Sequence, residues 1–311
     1  MDSTSAEKMD EVIMSQKVVS IIIVTYNSER DIYDCVRSIV ANADVPCECL
    51  ELVVVDNCSR EPEAMFAQLR QLWGEDAVLI RNTKNGGYGQ GNNVGLRAAS
   101  APLALIMNPD VRLVMPVFQR AAARFEADGD LAVMGLKQMT SANRTSTNSI
   151  CCDWLMSGYL RPVISALANR FDWFWPRRMY VQGSCFFVRR SMFESVGMFD
   201  EEHFMYGEEE DIHYRLLARY GASCYAYDKG LRYIHQTEDR APSLAYEKRI
   251  VEANVSLYRK KGVASAIILN HFLQNLRFVM MRDRCFGTSR EQRAVNEQLK
   301  TYLQTRLKEE K

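Results

Sequence analysis

Residues 18–25 read Val-Val-Ser-Ile-Ile-Ile-Val-Thr, a continuous run of apolar and mostly β-branched side chains. Such a run predicts a strand that is buried on both faces, as in a parallel sheet. Ser28, Glu29 and Asp31 follow at the start of a predicted helix, where a capping hydroxyl and acidic side chains are favourable. This sequence of strand and helix sets the pattern for the first third of the chain.

The same alternation continues as far as residue 107. The predicted elements are strands at residues 50–55, 77–81 and 103–107 and helices at residues 64–73 and 91–99. Strands that alternate with helices indicate an α/β fold with a mostly parallel sheet flanked by helices. Ligands bind such sheets beyond the carboxyl ends of the strands, so polar segments at these ends are expected to meet at one edge. These segments are Thr25 to Ser28, Asp56 to Ser59, Asn85 to Gly95 and Asn108 to Asp110.

The second part of the chain has a different pattern. The predicted elements are a helix at 116–128, a polar loop at 141–149, a strand at 179–189 and a helix at 243–260. Three of the four tryptophans fall within residues 153–176, which suggests a surface for packing or for an acceptor. We predict a flexible extension at residues 1–16, a catalytic domain at 17–262 with halves at 17–115 and 116–262, and a helical segment at 263–311.

Composition excludes several classes of protein. The chain has 39 basic and 39 acidic residues, so no bulk field favours nucleic acid. No apolar run approaches the roughly 18 to 20 residues that span a bilayer, and the N-terminus lacks the apolar stretch of a signal peptide. The nine cysteines form no CxxC pair, which disfavours a zinc site, and their odd number fits a reducing compartment. We therefore expect a cytoplasmic protein.

Three of the polar strand ends can carry chemistry, although each has a plainer interpretation. Asp56 can accept the imide N–H of a pyrimidine base, or it caps the following helix. Residues 85–93 can bring backbone N–H groups close to a pyrophosphate, or they form a surface turn; their spacing fits neither GxGxxG nor a P-loop. Asp110 can hold Mg²⁺ or Mn²⁺ against two phosphates, or it lies in an ordinary Asn-Pro-Asp turn.

Two later features can complete a site. Four consecutive acids, residues 208–211, begin a predicted helix after an aromatic stretch. A carboxylate there can deprotonate an acceptor hydroxyl, or the acids form a solvated helix start. His235 follows a predicted apolar stretch and is either a metal ligand or a structural histidine.

Taken together, these segments resemble family 2 glycosyltransferases with the GT-A fold, which is Rossmann-like. The resemblance covers roughly residues 18–236, and within the family it is strongest to bacterial rhamnosyltransferases of O-antigen and other cell-surface glycans. The matching segments, in order, are Val24-Thr25-Tyr26-Asn27, Val54-Val55-Asp56-Asn57-Cys58-Ser59, Asn85-Gly86-Gly87 with Gly91-Asn92, Asn108-Pro109-Asp110, Gly183-Ser184-Cys185-Phe186, Gly197-Met198-Phe199-Asp200, and Phe204-Met205-Tyr206 leading to Asp211 and Arg215.

The resemblance implies a donor site and a metal site. Thr25 and Tyr26 would line the nucleotide pocket, and Asp56 would hold the base. Asp110 matches the last acid of the family's DxD motif and would bind Mg²⁺ or Mn²⁺, with His235 as second ligand. The other implied donor-binding residues are Asn27, Asn85, Gly86, Gly87, Asn92 and Asn108, the last of which replaces the first acid of the DxD motif.

The resemblance also implies a catalytic base. The family's Glu-Asp pair falls on Glu208 and Glu209, so Glu209 would be the base. Glu208 and Glu210 are rivals for this role, and Asp211 is a further catalytic candidate. The implied reaction is an inverting single displacement that moves a sugar from a dTDP- or UDP-sugar, with L-rhamnose from dTDP-rhamnose as one option.

The implied acceptor is a glycan or a lipid-linked glycan at the inner face of the cytoplasmic membrane. Residues 264–311 carry an apolar stripe that either lies on an anionic membrane surface or packs on the catalytic domain or on another subunit. Two other functions stay open: a non-catalytic nucleotide-sugar-binding scaffold, and a sugar nucleotidyltransferase. The second is disfavoured because it needs a glycine-rich basic loop directly after the first strand. A dehydrogenase is excluded by the missing dinucleotide fingerprint.

Overall fold

A computed structural model of the chain describes residues 17–141, 144–146, 149–156, 158–236 and 241–310. The extension predicted at residues 1–16 lies outside these ranges. The strands are β1 (Val19–Thr25), β2 (Leu50–Asp56), β3 (Val78–Arg81), β4 (Leu103–Met107), β5 (Val111–Leu113), β6 (Val133–Ser141), β7 (Arg144–Thr145), β8 (Ile150–Cys152), β9 (Met179–Val181), β10 (Cys185–Arg189) and β11 (Tyr225–His235).

The helices surround the sheet and continue beyond it towards the C-terminus. They are α1 (Glu29–Ala41), α2 (Pro62–Trp73), α3 (Gly87–Ala98), α4 (Phe118–Ala127), α5 (Leu160–Phe171), α6 (Arg190–Ser195), α7 (Glu208–Tyr220), α8 (Leu244–Lys260), α9 (Ser265–Phe286) and α10 (Arg290–Glu309). Short 3₁₀ turns, Cys47–Cys49 and Ala222–Cys224, precede β2 and β11.

One large sheet organises the described residues, with strand order β3-β2-β1-β4-β10-β6-β11-β5 and β7 paired to β6. The first four strands are parallel, since each is reached through a helical crossover. Beyond β4 the directions are mixed: β10 is antiparallel to both neighbours, and β11 is parallel to β6 but antiparallel to β5. The predicted α/β fold with flanking helices is confirmed.

The parallel half is covered on both faces, which explains its continuous apolar strands. Ile21 and Ile23 of β1 pack with Ile39 of α1 on one face. Ile22 packs with Leu96 of α3 on the opposite face. All five side chains are fully buried, so every position of the strand interior favours an apolar residue.

Helix α3 approaches β1 closely because glycines face the sheet. A Cβ atom on Gly91 would lie 2.6 Å from Cγ1 of Val24, and one on Gly95 would collide with Ile22. The helix begins at Gly87, four residues before the predicted start at residue 91. The prediction placed this glycine-rich stretch in a loop, but the space between helix and sheet admits only small residues here.

The strand predicted at residues 179–189 is wrong as a single element. Residues 179–181 form β9, which pairs with β8 in a separate two-stranded sheet, whereas residues 185–189 form β10 in the main sheet. Between them, the Ser184 carbonyl accepts a hydrogen bond of 2.8 Å from the Asn108 N–H. The chain therefore bends between β9 and β10, and residues 182–184 lie next to the carboxyl end of β4, the edge of the sheet where a ligand is expected. Part of the loop predicted at 141–149 is the short strand β7, and residues 142, 143, 147 and 148 lie outside the described ranges.

The C-terminal helices form a bundle with its own apolar core. α8, α9 and α10 contribute buried side chains such as Val255, Ile268 and Leu303. Phe272 stacks on Trp154 with ring centroids 3.6 Å apart, which joins the bundle to the rest of the chain. Helix α8 is therefore part of the bundle, although the sequence analysis assigned residues up to 262 to the catalytic domain.

The apolar stripe predicted as a membrane contact is buried inside this bundle. Ile268, Phe272 and Leu276 are each less than a tenth exposed, and Met280 packs against the same cluster. A membrane contact through this stripe is therefore wrong, because the chain itself already covers it. Among the described residues, no helix is both long enough and apolar enough to cross a bilayer.

Candidate functional site

A cavity of about 460 Å³ lies at the carboxyl end of β4, where the bend before β10 and the start of α7 converge. Its volume lies within the usual range for a small-molecule site. The lining side chains come from segments far apart in sequence and include both acids and amides. They are Tyr88, Asn108, Asp110, Gln138, Gln182, Gly183, Ser184, Met205, Tyr206, Glu208, Glu209, His235 and Tyr246.

Asp110 and His235 meet in this cavity because β5 pairs with β11. The antiparallel register places Val111 opposite His235, and the Gln236 N–H donates to the Asp110 carbonyl at 2.9 Å. The Asp110 Oδ1 and His235 Nε2 atoms are 3.2 Å apart although the residues are 125 positions apart in sequence. His235 is about nine-tenths buried, so its ring is held at a fixed position.

The two side chains form a hydrogen bond with each other, and the distance between their atoms is also compatible with a divalent cation. An ion with ligands at about 2.1 Å in octahedral geometry holds two adjacent ligand atoms about 3 Å apart, which agrees with the Asp110–His235 separation of 3.2 Å. No cluster of three His, Cys, Asp or Glu side chains suited to a metal occurs among the described residues. Asn108 lines the same cavity, and water and substrate phosphates commonly supply the remaining ligands of Mg²⁺.

Glu208 and Glu209 are the first two residues of α7, and both line the cavity. They follow Tyr206 and Gly207, which both have positive φ angles, +75° and +97°. Burial raises the pKa of Glu208 well above its usual range, and the neighbouring charge of Glu209 raises it further. Burial also raises the pKa of Glu209, while the backbone N–H of Gly183 opposes that rise. Residue Glu208 is almost fully buried and its Oε1 atom has no hydrogen-bond partner among the described residues, whereas residue Glu209 is partly exposed.

The next two acids point away from the cavity. The Glu210 Oε1 atom accepts a hydrogen bond of 3.0 Å from the Trp154 N–H and another from the Tyr258 hydroxyl, so Glu210 anchors α7 to the C-terminal bundle. Asp211 forms an ion pair with Arg215, with 2.6 Å between the Oδ2 and Nη2 atoms. The carboxylate of Asp211 is thus held against the helix and does not line the cavity, and a catalytic role for Asp211 stays a prediction without support from this geometry.

Thr25 and Asp56, the last residues of β1 and β2, belong to a buried hydrogen-bond network. Asp56 is fully buried, and its carboxylate accepts hydrogen bonds from the Ser59 N–H at 2.9 Å, from the Ser59 hydroxyl and from the Thr25 hydroxyl at 3.3 Å. Asp56 does not cap α2, whose N-cap residue is Glu61. The structure therefore shows Asp56 fixing the turn after β2, and base recognition by Asp56 stays a prediction.

Tyr26 and Asn27 are at the surface next to this network. The Tyr26 side chain is about half exposed, and the Asn27 N–H donates to the Ser59 hydroxyl at 2.8 Å. Asn27 and Arg60 line a second cavity of about 460 Å³. The predicted donor residues are thus divided between two neighbouring regions, with Asn27 in one cavity and Asn108 and Asp110 in the other.

The glycine-rich segment serves packing where the sequence predicted a phosphate loop. The Gly87 N–H donates to the Asn85 side chain at 3.0 Å, and the Tyr88 N–H donates to the Phe204 carbonyl at 3.2 Å. These two amides are therefore already satisfied within the protein. A Cβ atom on Gly87 would collide with the Phe204 carbonyl, which explains the glycine and its φ of +85°.

The two remaining predicted residues of this segment, Asn92 and Gly86, belong to the first part of α3 and to its N-cap. The Asn92 side chain is buried and donates to the Tyr88 carbonyl at 3.0 Å, within the same helix. Gly86 is the N-cap residue of α3. The amides of Gly87 and Tyr88 and the side chain of Asn92 thus have partners within the protein, and pyrophosphate binding by Asn85, Gly86, Gly87 and Asn92 stays a prediction.

Several cavity residues were missed by the sequence analysis. Gln138 lies on β6, and its side chain accepts hydrogen bonds from Ser184 and Tyr233, both at 3.3 Å. Tyr88 donates its hydroxyl to the Gly183 carbonyl, and Tyr246 comes from α8. Nothing in the local pattern marks Gln138 or Tyr246, whereas Tyr88 lies within the glycine-rich segment that the sequence analysis singled out.

The fold and the sequence both match known proteins. Residues 20–197 match the model of glycosyl transferase family 2. The structure is similar to that of mannosyltransferase PcManGT from Pyrobaculum calidifontis, solved in complex with GDP-Man and Mn²⁺, with a TM-score of 0.61 and 16% identity over 93% of this chain and 85% of that chain. It is also similar to residues 1–349 of Staphylococcus aureus TarS in complex with UDP, with a TM-score of 0.53 and 18% identity over 88% and 73% of the two chains. These similarities confirm the predicted GT-A fold.

Characterised relatives point to the same family. The low-salt glycan biosynthesis hexosyltransferase Agl10 of Haloferax volcanii is 29% identical over 209 residues, which are 63% of this chain and 61% of that protein. The poly(ribitol-phosphate) β-N-acetylglucosaminyltransferase TarS of Staphylococcus aureus is 32% identical over 104 residues, which are 33% of this chain and 18% of that protein. The chain thus spans about three fifths of the first relative and about a fifth of the second. Since the family model matches more than half of the residues, this chain belongs to glycosyl transferase family 2.

Proposed function

We propose that the chain transfers a sugar from a nucleotide-sugar donor to the hydroxyl of a glycan or lipid-linked glycan acceptor, with inversion at the anomeric carbon. The observation that carries this proposal is the convergence of Asp110, His235 and Glu209 on one cavity. A carboxylate base can deprotonate the acceptor hydroxyl, and a cation can stabilise the departing diphosphate. Here the residues for both come from three segments that are distant in sequence.

In the proposed reaction, Glu209 accepts the proton of the acceptor hydroxyl. The acceptor oxygen then forms a bond to the anomeric carbon while the bond from that carbon to the phosphate oxygen breaks. The nucleoside diphosphate leaves with the electron pair. A divalent cation held by Asp110 and His235 would neutralise the charge of the departing diphosphate. The raised pKa of Glu209 suits a general base that must accept a proton near neutral pH.

Glu208 is proposed to stay protonated beside this base. Its carboxyl is buried, and its pKa is raised well above the usual range by burial and by the charge of Glu209. Two adjacent carboxyls in a site of low polarity do not ionise together, so a proton retained on Glu208 leaves Glu209 free to act as the base. This division of roles is supported by the stronger rise in the pKa of Glu208 and by the partial exposure of residue Glu209.

The donor is proposed to be a dTDP- or UDP-sugar, with dTDP-rhamnose as one option from the family resemblance. Asp56, Thr25 and Asn27 would form the end of the site that receives the base. The solved TarS structure contains UDP, and the PcManGT structure contains GDP-Man with Mn²⁺. Both complexes support a nucleotide-sugar as the donor class for this fold, and neither selects the sugar.

A donor screen tests this proposal. Thermal unfolding of the full chain is measured with dTDP-, UDP- and GDP-sugars, each with and without Mn²⁺ or Mg²⁺. Ligand binding to the folded state raises the melting temperature in proportion to the logarithm of ligand concentration over Kd, so the true donor should produce the largest shift. We expect the shift to need the cation, and donor hydrolysis to accompany it. A donor that binds without any turnover, even with acceptor present, would instead indicate a non-catalytic scaffold.

A further inference from the structure

Helix α5 carries its apolar residues on the outside. Leu160, Val163, Leu167 and Phe171 recur at helical spacing and are all exposed, and Phe171 is 68% exposed. The opposite face holds the helix to the protein, because the Asn169 side chain both donates to and accepts from the backbone of β8, at 2.8 and 3.0 Å. The helix is therefore firmly anchored, and its apolar stripe faces away from the protein.

The segment after this helix extends the same apolar surface. Trp173 and Trp175 follow within four residues of Phe171, and both are more than two-fifths exposed. We call the combined surface of α5 and these tryptophans the α5 face; its members are Leu160, Val163, Leu167, Phe171, Trp173 and Trp175. Exposed apolar patches of this kind mark interaction sites in soluble proteins. Tryptophan is also enriched where proteins meet the headgroup region of a membrane.

The charges around the α5 face are predominantly basic. Residues 153–178 contain four arginines and two aspartates, a difference of two positive charges. Both aspartates are neutralised: Asp153 pairs with Arg178 at 3.3 Å, and Asp172 pairs with Lys137 at 2.7 Å. Arg170 and Arg177 are exposed and form no ion pair within the described part of the chain. Arg161 faces the protein instead, because it donates to the Cys152 carbonyl at 3.1 Å and stacks on the Trp154 ring. The α5 face is thus an apolar strip with a cationic border.

The narrow shape of this surface suits a membrane better than a second copy of the chain. A helix of 12 residues is about 18 Å long and about 10 Å wide, so its outer face offers a footprint of roughly 200 Å². A stable protein interface buries roughly 800 Å² on each partner. The two tryptophans and the polar residues around the strip would all have to join the contact for a second copy to bury that much surface. A bilayer accepts a narrow apolar strip of this kind, because the side chains insert between headgroups and need no shaped partner.

We propose that the α5 face docks the protein on a membrane surface rich in anionic lipid. The apolar side chains of Leu167, Phe171 and Trp173 insert into the headgroup boundary, and the exposed arginines at positions 170 and 177 bind the lipid phosphates. The helix lies parallel to the membrane plane, since its exposed stripe runs along its whole length. The anionic surface adds attraction for each arginine close to it.

The α5 face lies one strand away from the cavity. Helix α5 is bonded to β8 through Asn169, and β8 pairs with β9. Gln182, directly after β9, lines the cavity. The Cys151 thiol of β8 also contacts the Gln182 side chain at 3.3 Å. If the proposed transferase function holds, docking through α5 would bring the cavity close to an acceptor whose lipid anchor lies in the same membrane. The docking itself does not depend on that function.

Vesicle co-sedimentation of the full chain tests the proposal. Vesicles of phosphatidylcholine with phosphatidylglycerol are compared with vesicles of phosphatidylcholine alone, at low and high salt. We expect binding to the anionic vesicles, weaker by roughly tenfold or more on neutral vesicles or at high salt. The variant Leu167→Glu/Phe171→Glu should bind at least tenfold more weakly, because it lacks the two apolar side chains whose transfer from water into the membrane favours binding.

The matched control is Met281→Glu/Phe286→Glu on α9, since these side chains are also exposed and apolar but belong to the C-terminal bundle. This control should bind as the wild type does. Equal binding by the α5 variant and the wild type would overturn the proposal, and so would a wild type that stays in the supernatant with anionic vesicles. Because all four residues are exposed, melting temperatures should stay unchanged. Donor-induced thermal shifts, measured without lipid, report on the transferase proposal separately.

Discussion

The hydrogen bond between Tyr258 and Glu210 joins α8 of the C-terminal bundle to α7, next to the proposed base. Both side chains are about 2% exposed, so no water can replace the hydroxyl if it is removed. In the variant Tyr258→Phe the buried carboxyl loses one of its two donors and keeps only the Trp154 N–H. Loss of a partner for a buried polar group costs about 1–3 kcal/mol. We therefore expect the melting temperature to fall by roughly 2–6 °C for a chain of this size.

The chain offers a matched control for this variant. The Tyr302 hydroxyl also donates to a glutamate, Glu252, whose side chain is 43% exposed. Water replaces the lost donor there, so Tyr302→Phe should change the free energy of unfolding by less than about 0.5 kcal/mol. Thermal and urea unfolding of both variants measure the difference. Equal effects of the two substitutions would refute the reasoning that burial decides the cost.

The pH dependence of the Tyr258→Phe effect follows from the raised pKa of Glu210. A carboxyl whose folded pKa is raised favours the folded state while protonated and loses that stability as the pH rises through the folded pKa. The Tyr258 hydroxyl opposes this rise by donating to the carboxylate. Its removal should therefore cost more at pH 8 than at pH 5. A loss of stability in Tyr258→Phe that becomes smaller as the pH rises would contradict the role of the Tyr258 hydroxyl as a donor to the Glu210 carboxylate.

Three further predictions concern the reaction and the packing of the sheet. The acidic limb of the pH profile of kcat/KM should lie above pH 4.5, because burial raises the pKa of the base Glu209; a limb at or below the ordinary glutamate value would contradict that role. His235→Ala should weaken activation by Mn²⁺ at least tenfold in a metal titration of donor hydrolysis, since it removes one of two adjacent ligands; an unchanged titration curve would exclude the site. Gly91→Ala should cost about 1–3 kcal/mol in urea unfolding, because its Cβ would lie 2.6 Å from Val24, whereas Gly129→Ala should be nearly neutral, since no atom lies within 4 Å.

The parallel half of the fold could be predicted closely because burial on both faces leaves a direct mark on the sequence. The strand 103–107 has the predicted bounds, and the first two strands differ by one residue at one end. A buried parallel strand is apolar at every position, so its ends coincide with the first polar residues. The second half was harder, because β9 and β10 continue one another in sequence but belong to different sheets.

The pairing of Asp110 with His235 could be suggested by the family resemblance but not by the local sequence. Both residues follow or end strands, yet their contact depends on the antiparallel register that places Val111 opposite His235. Register is a tertiary property, set by packing of the two strands against the rest of the sheet. The resemblance proposed His235 as a second ligand, and the separation of 3.2 Å is consistent with that proposal.

The acids at the start of α7 show why residue type alone did not decide their roles. Successive residues of a helix point about 100° apart, so four neighbouring carboxyls face four directions. Glu208 and Glu209 face the cavity, Glu210 binds Tyr258, and Asp211 binds Arg215. Only the position of the helix axis relative to the sheet determines which carboxyl reaches the substrate.

The proposal that Glu209 is the base in a family 2 glycosyltransferase site is tested most directly by Glu209→Gln. Glutamine retains the size of the side chain and removes its ability to accept the proton. The measurement is the rate of sugar transfer together with the donor-induced shift in melting temperature, with Glu208→Gln as the matched variant from the same cavity. We expect transfer by Glu209→Gln to fall by roughly 10²–10⁴-fold while the donor shift is preserved. Near-normal transfer by Glu209→Gln, with the donor still bound, would contradict the account.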